Sequence, residues 1–484
     1  MNGGRACRFH KIQGLKACRI WHATNFYGES NVIRKERICW VLPLLLASSG
    51  AAWADTDVTI YGYADVSVDE VNNGIKSQPF VTSNSSYLGF GAQHDINSDL
   101  KIVGQFETQV DIAATPSIKD SLGYRNSFLG FASKSWGAIK GGKSDTPYKT
   151  ATASFDPFAN TIGDYNSIMG NTGGDNRAEF DLRAPHAIWY ESPKFGAFQF
   201  NFMWSPGQNP AGDSSDFPLG DVLCSGATPG SSGSGQAGVQ NTFGGSAGSG
   251  RPSQTGGATV GTGFGECTDG GFGDLYSGSA IFKLGGFLGI AAAELHHAVN
   301  RESDGVPNAT GALDEFGNPF IVATTEWAAK IGAGYDFGPV KLYAVGEYMR
   351  KTGLPAAFNE RTRYGAYTSA TWRFLPNDDL SFAYGHAFKT PGSPGVPSNN
   401  PGECPAGVVG ADDADDLYSM GVRHYFTPAI TVYAVAALNH NHACAHYGLG
   451  QSGHGIGYLS RNPFNETFPG KDIMGISIGS TFKF

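Results

Sequence analysis

Apolar and polar side chains alternate with a period of two along most of this chain, the spacing of a strand whose two faces meet different surroundings. In Leu100 to Ile112 one side carries Leu100, Ile102, Phe106, Val110 and Ile112, and the other Lys101, Gln105, Glu107, Gln109 and Asp111. The pattern predicts strands near 57–68, 80–93, 99–112, 123–133, 136–143, 183–193, 196–204, 275–284, 286–296, 323–335, 339–350, 361–374, 379–388, 416–426, 429–440 and 471–484. Every second connection is short, as at Asp95–Ser98, Lys134–Trp136, Pro193–Phe195, Asp336–Pro339 and Thr427–Pro428. Short turns alternating with longer loops, strands of about ten residues and an even strand count describe a transmembrane antiparallel β-barrel. The expected fold is therefore all-β, a barrel of about sixteen strands, a class wide enough for an aqueous channel.

Two connections break the rhythm. The first, between Lys143 and Arg183, has no strand pattern and carries Asp145, Asp156, Asp164, Asp175, Glu179 and Asp181 among Asn, Gly and a few aromatics. A long loop inside a β protein is either functional or disordered. The basic residues Arg125, Lys143 and Arg183 lie on or beside its flanking strands, so residues 144–182 are expected to fold into the lumen against a basic wall. Asp156 and Asp164 from the loop and Glu107 from the third strand complete the expected constriction. Arg363 shares a strand face with Arg361, Tyr367, Thr371 and Arg373, either a ladder of cations for anions or ordinary solvated wall charge. The second long connection, 205–274, is rich in Gly and Ser, the composition of an exposed flexible segment.

Composition adds the compartment. Arg34, Lys35 and Arg37 precede an apolar run from Ile38 to Ala47, and Ala52-Trp53-Ala54 fits a small-x-small processing site, so residues 1–54 read as an upstream extension plus signal peptide and 55–484 as one barrel domain. The extension is long for a leader, which suggests initiation near Val32. The whole chain has a net charge of −9, and residues 1–54 carry eight basic and two acidic groups, which leaves −15 on the processed chain. No basic patch for nucleic acid is present. Cys224, Cys267, Cys404 and Cys444 remain after processing, an even number in an oxidising compartment, and pairings of Cys224 with Cys267 and Cys404 with Cys444 are expected among three connectivities. Asp412, Asp413, Asp415 and Asp416 read as a solvated loop rather than a cation site, and His440, His442 and His446 around Cys444 as surface residues rather than soft-metal ligands; no metal or cofactor is expected.

Four segments carry a resemblance: Val58-Thr59-Ile60-Tyr61-Gly62, Tyr124-Arg125-Asn126-Ser127-Phe128-Leu129-Gly130-Phe131, Tyr190-Glu191-Ser192-Pro193-Lys194-Phe195-Gly196-Ala197-Phe198, and the last strand ending in Phe484. With them the chain resembles the trimeric general diffusion porins of Gram-negative bacteria, the neisserial type in particular. The resemblance implies an outer-membrane homotrimer, contact with lipid and lipopolysaccharide, recognition of the last strand by the outer-membrane assembly machinery, and passive diffusion of small hydrophilic solutes and ions. Arg125 matches a basic wall position of that family and Lys143 one where Arg is common, whereas Tyr87 stands where relatives often have Arg. With one wall cation missing and several loop carboxylates present, a weak to moderate cation preference is expected. The alternatives are an outer-membrane barrel enzyme, protease or lipase, for which no nucleophile, base and orienting group group together in the sequence, and a surface adhesin or receptor.

Overall fold

A computed structural model describes residues 56–113, 123, 125–170, 180–206, 274–299, 324–352, 362–390, 412–445, 447–450 and 470–484. The expected leader, most of the 205–274 loop, His446, Cys224, Cys267 and Cys404 lie outside the described residues. Among the described residues seventeen strands follow one another, beginning with β1 (Thr56–Asn72), β2 (Ser77–Ser83), β3 (Tyr87–Asp95), β4 (Leu100–Gln109), β5 (Ser127–Ser133) and β6 (Gly137–Asp145). A five-residue helix, α1 (Pro147–Ala151), then opens the long connection. It is followed by β7 (Arg183–Glu191), β8 (Phe198–Pro206), β9 (Asp274–Leu284), β10 (Phe287–Val299), β11 (Thr324–Asp336), β12 (Val340–Thr352), β13 (Arg363–Leu375), β14 (Asp378–Ala387), β15 (Asp415–Tyr425), β16 (Ile430–Asn441) and β17 (Ile473–Lys483).

All pairings are antiparallel, and β17 returns to β1 from Tyr63↔Lys483 to Asn72↔Met474, which closes the sheet. Gly62 and Phe484 complete the seam by exchanging both backbone hydrogen bonds. Closure leaves no unpaired edge on a strand as apolar as β17.

Seventeen segments make sixteen staves, because β2 and β3 are two pieces of one. Both pair with β1, β3 along Thr56–Tyr63 and β2 along Val66–Asn72. The expected single strand at 80–93 is interrupted at Asn84-Ser85-Ser86. There the Asp65 N–H donates to Ser86 Oγ, which in turn donates to the Asp65 carbonyl. Side-chain hydroxyl bonds replace the ladder, and Ser85 takes a φ of 49°. Ser, Asn and Asp offer this alternative to backbone pairing wherever they cluster.

The two faces differ as alternation requires. On β17 Met474, Ile476, Ile478 and Phe482 are exposed while Gly475, Ser477 and Gly479 are buried. On β11 Ile331 is 71% exposed and its neighbour Lys330 only 3%. The exposed face is thus the apolar one, as lipid contact demands, and the polar side chains point inward. Aromatic residues band both ends of this outer face. Trp327, Tyr348, Tyr364 and Phe388 form a chain with centroid separations of 5.4, 4.5 and 6.4 Å at one end. Phe195, Phe337 and Phe426 stand exposed at short turns at the other.

Candidate pore constriction

The connection from Thr146 to Leu182 is bonded to the polar face of β9 through β15. Its helix is capped by Thr146, whose side chain accepts from the Lys149 N–H, with Pro147 at the first helical position. That start lets the chain turn off β6 at once. Beyond it Tyr148, Phe155, Phe158, Ile162, Ile168, Met169 and Phe180 are all at most 1% exposed. Glycines in the wall receive them. A Cβ added to Gly332 would stand 2.5 Å from Phe155 Cε2, and one added to Gly385 would stand 2.3 Å from Ile168 Cδ1, both far inside van der Waals contact. Each of these seven side chains therefore spends itself on docking.

Polar ties fix the register of that docking. Tyr148 N–H donates to Ser277 Oγ at 3.0 Å, and its hydroxyl to Glu347 Oε2 at 2.7 Å. Gly170 N–H donates to the other Glu347 oxygen at 2.8 Å, Tyr367 OH to Asp156 Oδ1 at 2.9 Å, and Ser369 Oγ to the Phe155 carbonyl at 2.6 Å. Lys330 is the strongest of these ties. Its ammonium reaches Asp181 Oδ1 at 2.6 Å and Thr152 Oγ1 at 2.8 Å, and lies 4.0 Å from the centre of the Tyr148 ring. Sequence reasoning missed Lys330 and Glu347; the available signal was a charge set between uncharged neighbours on the inner face of each strand, Ala328-x-Lys330-x-Gly332 and Val345-x-Glu347-x-Met349.

Of the expected carboxylates, Asp156 and Asp164 face elsewhere than a pore, and the loop's Asp175 and Glu179 lie outside the described residues. Asp156 accepts from the N–H groups of Phe158 and Tyr165 at 2.8 and 3.0 Å, and Asp164 from those of Asn166 and Asn160 at 3.0 and 2.9 Å. They are 7% and 3% exposed. Burial, with Asp156 alongside, pushes the Asp164 carboxyl well above the usual range, and burial raises Asp156 as well. These residues shape the loop from within. Asp, with a short acceptor that bonds backbone two or more residues on, is the natural residue for that task.

The expected cations separate into distinct settings. Arg125 lies against inward-facing residues: its Nε is 3.8 Å from Glu107 Oε2 and its guanidinium 4.7 Å from the centre of the Tyr87 ring. Glu107 also accepts from Tyr61 OH at 2.9 Å. Arg183 sits where the loop begins and ends, with Nη2 3.2 Å from Asp145 Oδ1 and Nε donating to Asn126 Oδ1 at 2.6 Å; Lys149 shares Asp145 at 3.3 Å. Lys143 pairs in register with Ser127, in phase with Leu129 and Ile139, which are exposed on the outer face. Arg363 is 2% exposed, donates to the Ile168 carbonyl and lies 5.7 Å from the Tyr447 ring centre; it is a loop anchor, and the expected ladder of pore-facing arginines does not include it. Lys140, not anticipated, shares the inward phase of Ala138 and pairs with Glu191 at 2.8 Å.

At the rim of the long connections, His440 bonds Asp472 at 2.9 Å, and His442 bonds Asp412 and Asp416 at 3.1 and 3.3 Å. Cys444 is disulfide-bonded, which removes it from thiolate ligation. Among the described residues no three His, Cys, Asp or Glu side chains converge on a metal position.

A closed sixteen-stave barrel with an apolar exterior, a polar interior and a long loop bonded to its inner face is the architecture of an outer-membrane channel. The chain belongs to the Gram-negative porin family, whose model matches residues 42–443. It is similar to an outer membrane porin protein of Bordetella pertussis, at 26% identity over 34% of this chain and 46% of the relative. It also resembles a chitoporin of Vibrio furnissii, at 32% identity over 32% of this chain and 42% of the relative. These matches span less than half the length of those curated relatives. Among solved structures, the anion-selective porin from Comamonas acidovorans superposes with a TM-score of 0.59 at 14% identity, over 89% of this chain and 100% of that one, a likeness of fold.

Proposed function

We propose that the protein is a passive diffusion channel for small hydrophilic solutes and ions, narrowed by the 146–182 loop and assembled as a homotrimer in the outer membrane. The observation that carries this reading is the docking of the loop: it is tied to the inner face of β9–β15 by Lys330, Glu347, Tyr367 and Arg363 and seated on wall glycines, so it occupies part of the lumen as a fixed element. Among the described residues, the wall of β1–β5 receives none of these ties. Water and solute would pass between that wall and the loop. Contact with lipopolysaccharide at the external rim, and reading of the last strand by the assembly machinery, belong to the same proposal.

Ion preference follows from which charges line that passage. Asp156, Asp164 and Asp181 are buried and committed to bonds, which withdraws these three from the loop carboxylates on which the expected cation preference rested; Asp175 and Glu179 lie outside the described residues. Arg125 and Lys140 face inward, each with one carboxylate partner. In a narrow passage with low-dielectric walls the local charges outweigh the net charge of the chain. The expected result is therefore a weak anion preference, despite a net negative chain. Reversal potential in a salt gradient at low ionic strength, where screening is weakest, tests both parts. No current across a planar bilayer refutes the channel; a current with cation preference refutes the charge assignment alone.

A further inference from the structure

We infer that Tyr61, Tyr63 and Tyr87, with Arg125, form a subsite on the channel wall that takes an aromatic carboxylate; this rests on the diffusion reading and adds a solute class to it. Four observations lead there. Tyr61 lies flat on the wall, because a Cβ on Gly89 of the neighbouring strand would stand 2.3 Å from its Cζ and 2.5 and 2.8 Å from its two Cε atoms. A ring seated on a glycine in that way gives one face to the sheet and turns the other toward the lumen. Tyr87 packs edge-on to Tyr61 with centroids 6.2 Å apart, and tilted against Tyr63 at 5.9 Å, so the three rings form one continuous surface across β1 and β3. All three are half-buried, with area left open.

The third observation is the cation. Arg125 stacks on Tyr87, and Lys483 holds its ammonium 5.8 Å from the centre of the Tyr63 ring. The fourth concerns spacing. Glu107 takes the Tyr61 hydroxyl on Oε1 and faces Arg125 with Oε2 at 3.8 Å, so one carboxylate orients the π face and pairs electrostatically with the guanidinium. Such pre-organisation lowers the entropy lost when a ligand binds. A ring stacked on Tyr61 would place a carboxylate attached to it toward the guanidinium, whose planar fork suits that group.

The hydroxyls decide against a sugar. Tyr61 OH is donated to Glu107 and Tyr63 OH to Asp65 at 2.7 Å, so these two phenols are committed and little is left to match a ring of hydroxyls. What the patch offers is π surface bordered by the cations Arg125 and Lys483, whose charge Glu107 and Asp65 partly offset, and a planar anion can use both. Affinity would be modest, since Glu107 offsets part of the Arg125 charge and a channel must release what it binds.

Single-channel current in planar bilayers, with the full-length protein in sodium chloride and increasing sodium benzoate, acetate or cyclohexanecarboxylate, tests the assignment. Aromatic contacts add about 0.5–1.5 kcal/mol beyond area burial, which is about 2- to 10-fold in affinity. Benzoate is expected to reach half-block at a concentration lower than acetate by about that factor, and lower than cyclohexanecarboxylate, which has the charge and a ring without the π face. Tyr61→Leu and Tyr87→Leu should each collapse the benzoate-to-acetate ratio toward one, each variant being scored within itself. Arg125→Gln should weaken block by all three anions. A protein that conducts chloride yet is blocked equally by the three carboxylates overturns the subsite and leaves the diffusion reading standing. Absence of chloride current overturns both.

Discussion

Replacing Lys330 by Met should release the inner loop while leaving the barrel closed. The ammonium and its partner Asp181 are both at 0% side-chain exposure and 2.6 Å apart, so the substitution strands a carboxylate that, among the described residues, only Tyr165 OH at 2.5 Å and Asn166 Nδ2 at 3.0 Å continue to serve. Breaking a buried pair by removing one partner costs about 3–5 kcal/mol, most of it the penalty of the abandoned charge. Loss of the ring contact with Tyr148 adds to it. At tenfold per 1.4 kcal/mol the undocked loop should become more populated by roughly a hundredfold to a few thousandfold. Hydrogen exchange reads this at the amides of Phe155, Thr161 and Met169, whose bonds lie within the loop. The control is Lys330→Met combined with Asp181→Asn, which removes both charges and should recover much of the protection, because replacing a buried pair is far cheaper than breaking one. Unchanged exchange in Lys330→Met would refute the reasoning, as would a double variant no better than the single.

Gly385→Leu should also dislodge the loop, since even its Cβ would stand 2.3 Å from Ile168 Cδ1; overpacking of about 1–3 kcal/mol is expected as faster exchange at Met169, and an unaffected amide there would show that the wall yields instead. Non-reducing peptide mapping should find Cys444 joined to Cys404 and Cys224 to Cys267, and recovery of Cys224 linked to Cys444 would exclude that pairing. At the external rim burial pulls the His442 imidazole down, but hydrogen bonds to Asp412 and Asp416 outweigh it and raise the pKa. The clasp is accordingly at full strength below the ordinary imidazole value of about 6.5 and is lost as pH rises through the raised one. Exchange at the Cys444 amide, which donates to the Asp412 carbonyl at 2.8 Å, should then quicken with pH beyond the intrinsic rate, and His442→Gln should abolish that excess.

The barrel was legible because a membrane strand states both its neighbours in its own alternation. Ile331 and Lys330 cannot share a face, and the solvent on each side dictates which is which. The break at Asn84–Ser86 escaped, since its cause is a hydroxyl bonding backbone groups twenty-one residues earlier, on Asp65. The site was legible in place and not in charge. A loop rich in Asp reads as an acidic surface, yet Asp156, Asp164 and Asp181 bond inward, and no residue count distinguishes an Asp that lines water from one that ties a turn. Composition gives the number of carboxylates, whereas selectivity depends on where their oxygens point. The same holds for Tyr87, which appears in the sequence as a cation lost from the wall. In the fold it is the surface on which Arg125 stacks, 4.7 Å away, so the position trades a charge for a means of holding one. A guanidinium held over a ring keeps its field in the passage and gives up rotamer freedom before any solute arrives.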